Sequence, residues 1–212
     1  DRYYRLARQH GADGARLAAA SHSAAIDWIE ELALSTDRPC GFRRVPGYLF
    51  SHDGDLDSLH REVSAAQAAG LSAGFLAEGV ETPDVLGAVV RFDQQARVDM
   101  GQYLLALAKA VRDAGGGFLR AEAVAVEGGV QPLVRLRDDE IRAAVVVVAS
   151  NVPFHQTGAT YMKQAAYRTY AVAGEAPAGT LPDALYWDDG DPYHYVRLHV
   201  PGDASGPMQL IV

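Results

Sequence analysis

Leu181-Pro182-Asp183-Ala184-Leu185-Tyr186-Trp187-Asp188, then Asp189-Gly190 and Asp191-Pro192-Tyr193-His194-Tyr195-Val196-Arg197, is the stretch on which the fold turns. Segments 184–187 and 193–200 are rich in aromatic and β-branched residues. Asp, Gly and Pro separate them, the composition of two strands and a turn. In the second strand Tyr193, Tyr195 and Arg197 point to one face, His194 and Val196 to the other. Two phenols and a guanidinium on one face suit a carboxylate: the fork meets both oxygens and the rings make apolar walls. The same pattern also fits a half-exposed sheet whose tyrosines cover a core, with Arg197 in an ion pair.

Outward from this stretch, segments 167–173 and 208–212 read as further strands. Upstream, Ala143–Ala149 (AAVVVVA) is continuously apolar rather than alternating, which predicts a strand buried on both faces. Segments 118–126 and 132–137 form a strand pair around Gly128-Gly129. Residues 102–114 form a helix with Leu104, Leu105, Leu107, Ala108 and Val111 apolar, stopped by Gly115–Gly117. The chain opens with a helix over 3–34, interrupted near Gly11 and Gly14. Leu17, Ser21, Ala24, Ala25, Trp28, Ile29 and Leu32 share one face of it. Residues 42–51 read as a strand with a bulge or kink at Pro46-Gly47. Asp55 caps the next helix, whose face is Leu56, Leu59, Val63, Ala66 and Gln67, and Gly70 closes it. Extended pieces follow at 73–77 and 87–92. Helices leading into strands predict an α/β or α+β fold.

The 212 residues carry 49% hydrophobic and 22% charged side chains, an ordinary globular balance. Nineteen Lys and Arg against 27 Asp and Glu give a net charge of −8, which argues against nucleic acid and an anionic membrane surface as partners. No apolar run approaches the ~18–20 residues of a membrane span. The one cysteine, Cys40, excludes a disulfide framework and points to a reducing, cytoplasmic setting. The first residues carry no signal-peptide pattern, and a start without Met inside a helix suggests a piece of a larger protein.

Chemistry-bearing motifs are sparse. The chain contains no G-x-G-x-x-G, no Walker loop, no G-x-S-x-G elbow and no H-x-x-x-H. Asp188-Asp189-Gly190-Asp191 reads as a solvated turn, since it lacks the calcium loop's length and closing Glu. No metal site and no catalytic residue is assigned.

The run Met162-Lys163-Gln164-Ala165-Ala166-Tyr167-Arg168-Thr169-Tyr170, with the opening stretch, resembles the glycine/D-amino-acid oxidase superfamily of FAD-dependent oxidoreductases. The branch it most resembles often carries a Rieske-type iron–sulfur domain. Arg44-Val45-Pro46-Gly47-Tyr48-Leu49-Phe50, Tyr103 to Ala108 and Val147 to Pro153 match in the family's order. The family's G-x-G-x-x-G and the Rieske Cys/His ligands are not in these residues. The chain therefore resembles an internal fragment, the middle of a flavoenzyme.

The resemblance implies a mixed or antiparallel substrate-binding sheet with flanking helices over 36–100 and 154–205. It places 1–35, 101–153 and 206–212 in an incomplete FAD-binding lobe. It implies substrate contacts at Tyr48, Lys163, Tyr167, Arg168, Tyr193, Tyr195 and Arg197, and cofactor contacts at Ala125, Ala149, Ser150 and Asn151. The implied reaction is hydride transfer from the amine-bearing carbon of an amine or amino acid to flavin. FAD binding by this segment alone is expected to be weak or absent, and a 2Fe-2S cluster belongs to a further domain of the parent. The alternative is a non-catalytic binding or self-associating scaffold domain on the same fold, with a homo-oligomer forming through an exposed sheet edge.

Overall fold

The computed structural model describes residues 2–37, 40–80, 86–150, 167–177, 181–199 and 208–211. Helix α1 (Tyr3–Ser35) leads into strand β1 (Arg43–Phe50), helix α2 (Leu56–Ala68), strands β2 (Ala73–Leu76) and β3 (Val89–Arg97), and helix α3 (Met100–Asp113). Strands β4 (Ala123–Glu127), β5 (Leu133–Leu136), β6 (Glu140–Arg142), β7 (Ala173–Ala176), β8 (Leu185–Asp188), β9 (Tyr195–His199) and β10 (Met208–Ile211) follow. The fold is mixed α/β, as expected. It divides into two units, residues 1–113 with 171–212, and residues 114–170. That division puts α1 and β10 in the unit that holds the large sheet.

The first unit holds a seven-stranded sheet in the order β2-β3-β1-β8-β9-β10-β7. Only β1–β8 is parallel; the other pairings are antiparallel, so the sheet is mixed. One face, with Leu49, Val90, Phe92 and Trp187, packs on Ala15 and Ala19 of α1 and on Leu59 and Ala66 of α2. The other face gathers Tyr48, Val89, Ala184 and Tyr186. Leu49 and Leu59 are 1% exposed, and burial of each stabilises the fold by about 1.5–3 kcal/mol.

Local chemistry explains the element ends. Gly11 breaks α1 with φ 75, a conformation a side chain resists. Asp55 caps α2 by accepting the Ser58 amide at 2.9 Å. Between Val45↔Gln95 and Gly47↔Phe92, Pro46 alone stands opposite Asp93 and Gln94. That two-against-one bulge forms where Pro46 has no N–H to give the ladder, and Gln94 takes φ 55 within it.

Two helices bury other faces than their apolar periodicity favours, and one expected strand is not formed. In α1 the buried side is Ala15, Ala19 and Ala33, while Leu17 and Trp28 are exposed. Ala15 and Ala19 pack with Leu59 and Ala66 of α2, Ala33 packs with Cys40 and Ala106, and Ile29 and Leu32 of the bulky stripe are half-buried. In α3 only Ala106 is buried, and Leu104, Leu105 and Val111 are exposed. Segment 143–149 is not a strand, and Val145 and Val147 are exposed. A strand buried on both faces needs ladder neighbours and covering layers; among the described residues the second unit's sheet is β4-β5-β6, and the valine run has no place in it. Among the described residues no helix is long and apolar enough to cross a membrane.

Candidate functional site

The site begins with the pairing of β8 and β9. Leu185 stands opposite Arg197 and Trp187 opposite Tyr195, so all four share the face that carries Gly47 and Leu49 of β1. Tyr186 and Val196 point the other way, toward Tyr48. Tyr193, Tyr195, Arg197 and Trp187 line a cavity of about 810 Å³, whose remaining wall includes Arg2, Arg5 and His22 of the first helix region. That volume is within the usual ~300–1,000 Å³ of small-molecule sites.

Tyr193 and Tyr195 meet edge to face with ring centres 5.0 Å apart. Burial first, then the neighbouring Tyr193 phenol, pushes the Tyr195 hydroxyl above its ordinary pKa, so it stays neutral at physiological pH. Arg197 is exposed, and among the described residues no carboxylate pairs with it. By contrast Arg97 is held by both oxygens of Asp183, at 2.9 and 3.0 Å. Arg44 is likewise held by Asp27 and Glu30. Arg2 donates to the Asp188 carbonyl at 2.8 Å, joining the start of α1 to the end of β8.

Asp188 organises the β8–β9 turn. It is 3% exposed. Its Oδ1 accepts the amides of Gly190 at 3.1 Å and His194 at 3.0 Å, and its Oδ2 lies 2.7 Å from His194 Nδ1. Burial alone would raise its pKa; the hydrogen bonds from His194 and Gly190 outweigh burial and hold it below the ordinary carboxylate range. His52 stacks beside His194 at 6.4 Å and donates its amide to Asp189 at 2.7 Å. The sequence reading of 188–191 as a solvated turn is therefore corrected at Asp188. Among the described residues no three metal-ligating side chains converge.

The other expected site residues are placed as follows. Tyr48 is buried on the opposite sheet face, stacked on Tyr186 at 5.5 Å, and does not line the cavity. Tyr167 and Arg168 are exposed residues of the second unit. Ala125 lies in β4, half-buried, and Ala149 and Ser150 are exposed outside any strand. Lys163 and Asn151 lie outside the described residues. The structure thus brings together Tyr193, Tyr195 and Arg197 of the expected set.

It adds Trp187, Gln95, Arg2, Arg5 and His22. Period-two alternation from Leu185 was a signal for Trp187. The Pro46-Gly47 bulge signal bore on Gln95, though the sequence left its partner strand open. Nothing local marked Arg2, Arg5 or His22, which a helix packed across the sheet delivers.

The starts of α1, α2 and α3 each hold a carboxylate. Glu62 accepts the Tyr3 and Tyr4 amides at 2.9 and 3.3 Å, Asp55 accepts that of Ser58, and Asp99 that of Gln102 at 3.0 Å. None of the three is open to a phosphate.

Several solved structures share this fold. Glycine oxidase from Geobacillus kaustophilus is 18% identical, with TM-score 0.62 over 91% of this chain and 54% of its own. Glycine oxidase from Bacillus cereus ATCC 14579 is 15% identical, with TM-score 0.64 over 91% of this chain and 56% of its own. L-proline dehydrogenase from P. horikoshii is 12% identical, with TM-score 0.60 over 93% and 54%. The chain spans about half the length of these structures. No curated protein matches it. The family model described as DAO, FAD dependent oxidoreductase, matches residues 2–206, nearly the whole sequence, and the chain belongs to that family.

Proposed function

We propose that this chain is the substrate-binding portion of an FAD-dependent oxidoreductase that oxidises an amine or amino acid. The observation that carries the reading is Arg197, exposed on the wall of a cavity it shares with Tyr193, Tyr195 and Trp187 and without a carboxylate partner among the described residues. A substrate carboxylate supplies that partner, in a bidentate pair. Tyr193, Tyr195 and Trp187 supply apolar ring surface on the same cavity wall. Asp189 and Asp191 on the same cavity suit the positive end of a zwitterion.

The described residues do not by themselves fit FAD. Its pyrophosphate needs free backbone amides at a Gly-rich helix start. The starts of α1, α2 and α3 are taken by carboxylates, and the 212 residues contain no G-x-G-x-x-G. No step of the reaction is derived through the cofactor. In this reading the chain supplies the grip on the substrate, and the parent protein supplies the seat of FAD. Purified alone, the chain is expected to lack flavin absorption; stoichiometric FAD on the isolated chain would refute this.

Within the same proposal, Lys163, Tyr167 and Arg168 belong to the substrate side, and Ala125, Ala149, Ser150 and Asn151 to the cofactor side. Family resemblance supports both, and equally a 2Fe-2S domain in the parent. The lone buried Cys40 supports a cytoplasmic setting. The alternative, a non-catalytic or self-associating scaffold, is favoured by the exposed valines of 143–149 and by β2 at a sheet edge. The deciding experiment is Arg197→Met in the FAD-loaded parent protein. The expected result is a rise in KM of at least about tenfold, the loss of a charged hydrogen bond. Unchanged KM overturns the assignment of Arg197, and concentration-dependent oligomers with no amine oxidation favour the scaffold.

A further inference from the structure

A second, smaller cavity of about 180 Å³ adjoins the first. The two share Arg2, His22, Gln95 and Trp187 in their walls, so these residues stand at the boundary between an outer chamber and an inner one. Leu6, Ile26, Leu71 and Phe92 form the apolar part of the inner walls, beside Ser23 and the boundary residue His22. Its one carboxylate, Glu62, already accepts the Tyr3 and Tyr4 amides, and Arg2 already donates to the Asp188 carbonyl. Both charges are therefore committed to the protein, and neither calls for an ionic ligand group.

The boundary is built by the β1–β3 bulge. In an unbroken β3, Phe92 and Gln94 would share a face. The extra residue instead puts Gln95 on the face of Phe92, opposite Val45. Gly47 completes the arrangement. A Cβ there would stand 2.7 Å from the Trp187 ring and 3.0 Å from Gln95 Cγ, so only glycine lets the indole lie flat on β1 beside Gln95. Among the described residues the Gln95 side chain makes no hydrogen bond, and its amide is free to meet one polar atom of a ligand.

We propose that the inner cavity is the side-chain pocket of the substrate, with Gln95 and Trp187 as its gate. This rests on the reading of the outer cavity as an amino-acid site and names the substrate class more closely. The substrate carries a mainly apolar group of isobutyl to phenyl size, rather than the hydrogen of glycine. An apolar protein cavity of ~150 Å³ holds a benzene molecule, and the inner chamber is of that size.

The test uses the FAD-loaded parent protein with glycine and both enantiomers of leucine, and the variants Ile26→Trp and Leu71→Phe, which fill the inner cavity from different walls. The readout is the ratio of kcat/KM for leucine to that for glycine. One leucine enantiomer is expected to exceed glycine by at least about tenfold, since each well-housed methylene is worth ~10–200-fold. Either variant is expected to lower that ratio about tenfold or more, chiefly through KM. A variant that does not fold is replaced by the other, and retained flavin absorption reports folding. Preference for glycine, or ratios unmoved in both variants, overturns the proposal. Oxidation of neither compound refutes the oxidoreductase reading instead. Tryptophan fluorescence then decides the cavity alone: a saturable leucine response in the parent, lost in Leu71→Phe, supports it, and no response overturns it.

Discussion

Asp188→Asn isolates the one buried carboxylate that shapes the cavity's mouth. The side chain keeps its shape. Its Oδ1 still accepts the amides of Gly190 and His194, which lie at 3.1 and 3.0 Å. What is lost is the charged bond to His194 Nδ1 at 2.7 Å. Such a bond contributes about 1.5–3 kcal/mol. The His194 side chain is 53% exposed, so the low end applies, about 1.5 kcal/mol. Asp188→Ala removes all three bonds and leaves two backbone amides without an acceptor, for a loss of about 3–5 kcal/mol. Guanidinium denaturation of the purified protein at neutral pH measures both. The pH dependence has a definite sign. Because the folded-state pKa of Asp188 is lowered, its contribution is fully present above the ordinary carboxylate value of ~3.9 and is lost as pH falls through the lowered value. The gap between wild type and Asp188→Asn therefore closes in acid. An Asn variant within about 0.3 kcal/mol of wild type, or a gap constant down to strongly acidic pH, would refute the reasoning.

Glu62 has the opposite sign. Burial raises its pKa despite the Tyr3 and Tyr4 amides, so its contribution is lost as pH rises through the raised value, and Glu62→Gln is expected to flatten that slope in a pH-denaturation series. Leu49→Ala removes a side chain with 1% exposure; the expected loss is about 2–5 kcal/mol by chemical denaturation. Gly47→Ala drives a methyl to 2.7 Å from Trp187; a loss of about 1–3 kcal/mol and a shifted tryptophan emission are expected. Trp28→Ser changes a residue 73% exposed; in the isolated chain the expected change is within ~0.5 kcal/mol.

The 212 residues by themselves determined the local elements, because caps, turns and alternation are short-range physics. Asp55 with its amide target three residues on, the break at Gly11 and the bulge at Pro46-Gly47 are each set by one or two neighbours. The alternation of Tyr193, Tyr195 and Arg197 is of the same kind, and it put three cavity residues within reach of the sequence. Tertiary structure alone decided which faces are buried. The periodicity of α1 favours the stripe through Leu17 and Trp28, yet the alanine side packs, because close approach of two helices rewards small residues more than large ones. The valines of 143–149 read as core and stand exposed, since burial is a property of the layers around a segment and not of its composition. Arg2, Arg5, His22 and Gln95 come from the chain's opening helix region and third strand to face residues far along in sequence. Only strand pairing and helix packing brought them together, as contacts across long loops leave no periodic trace in the residues that make them.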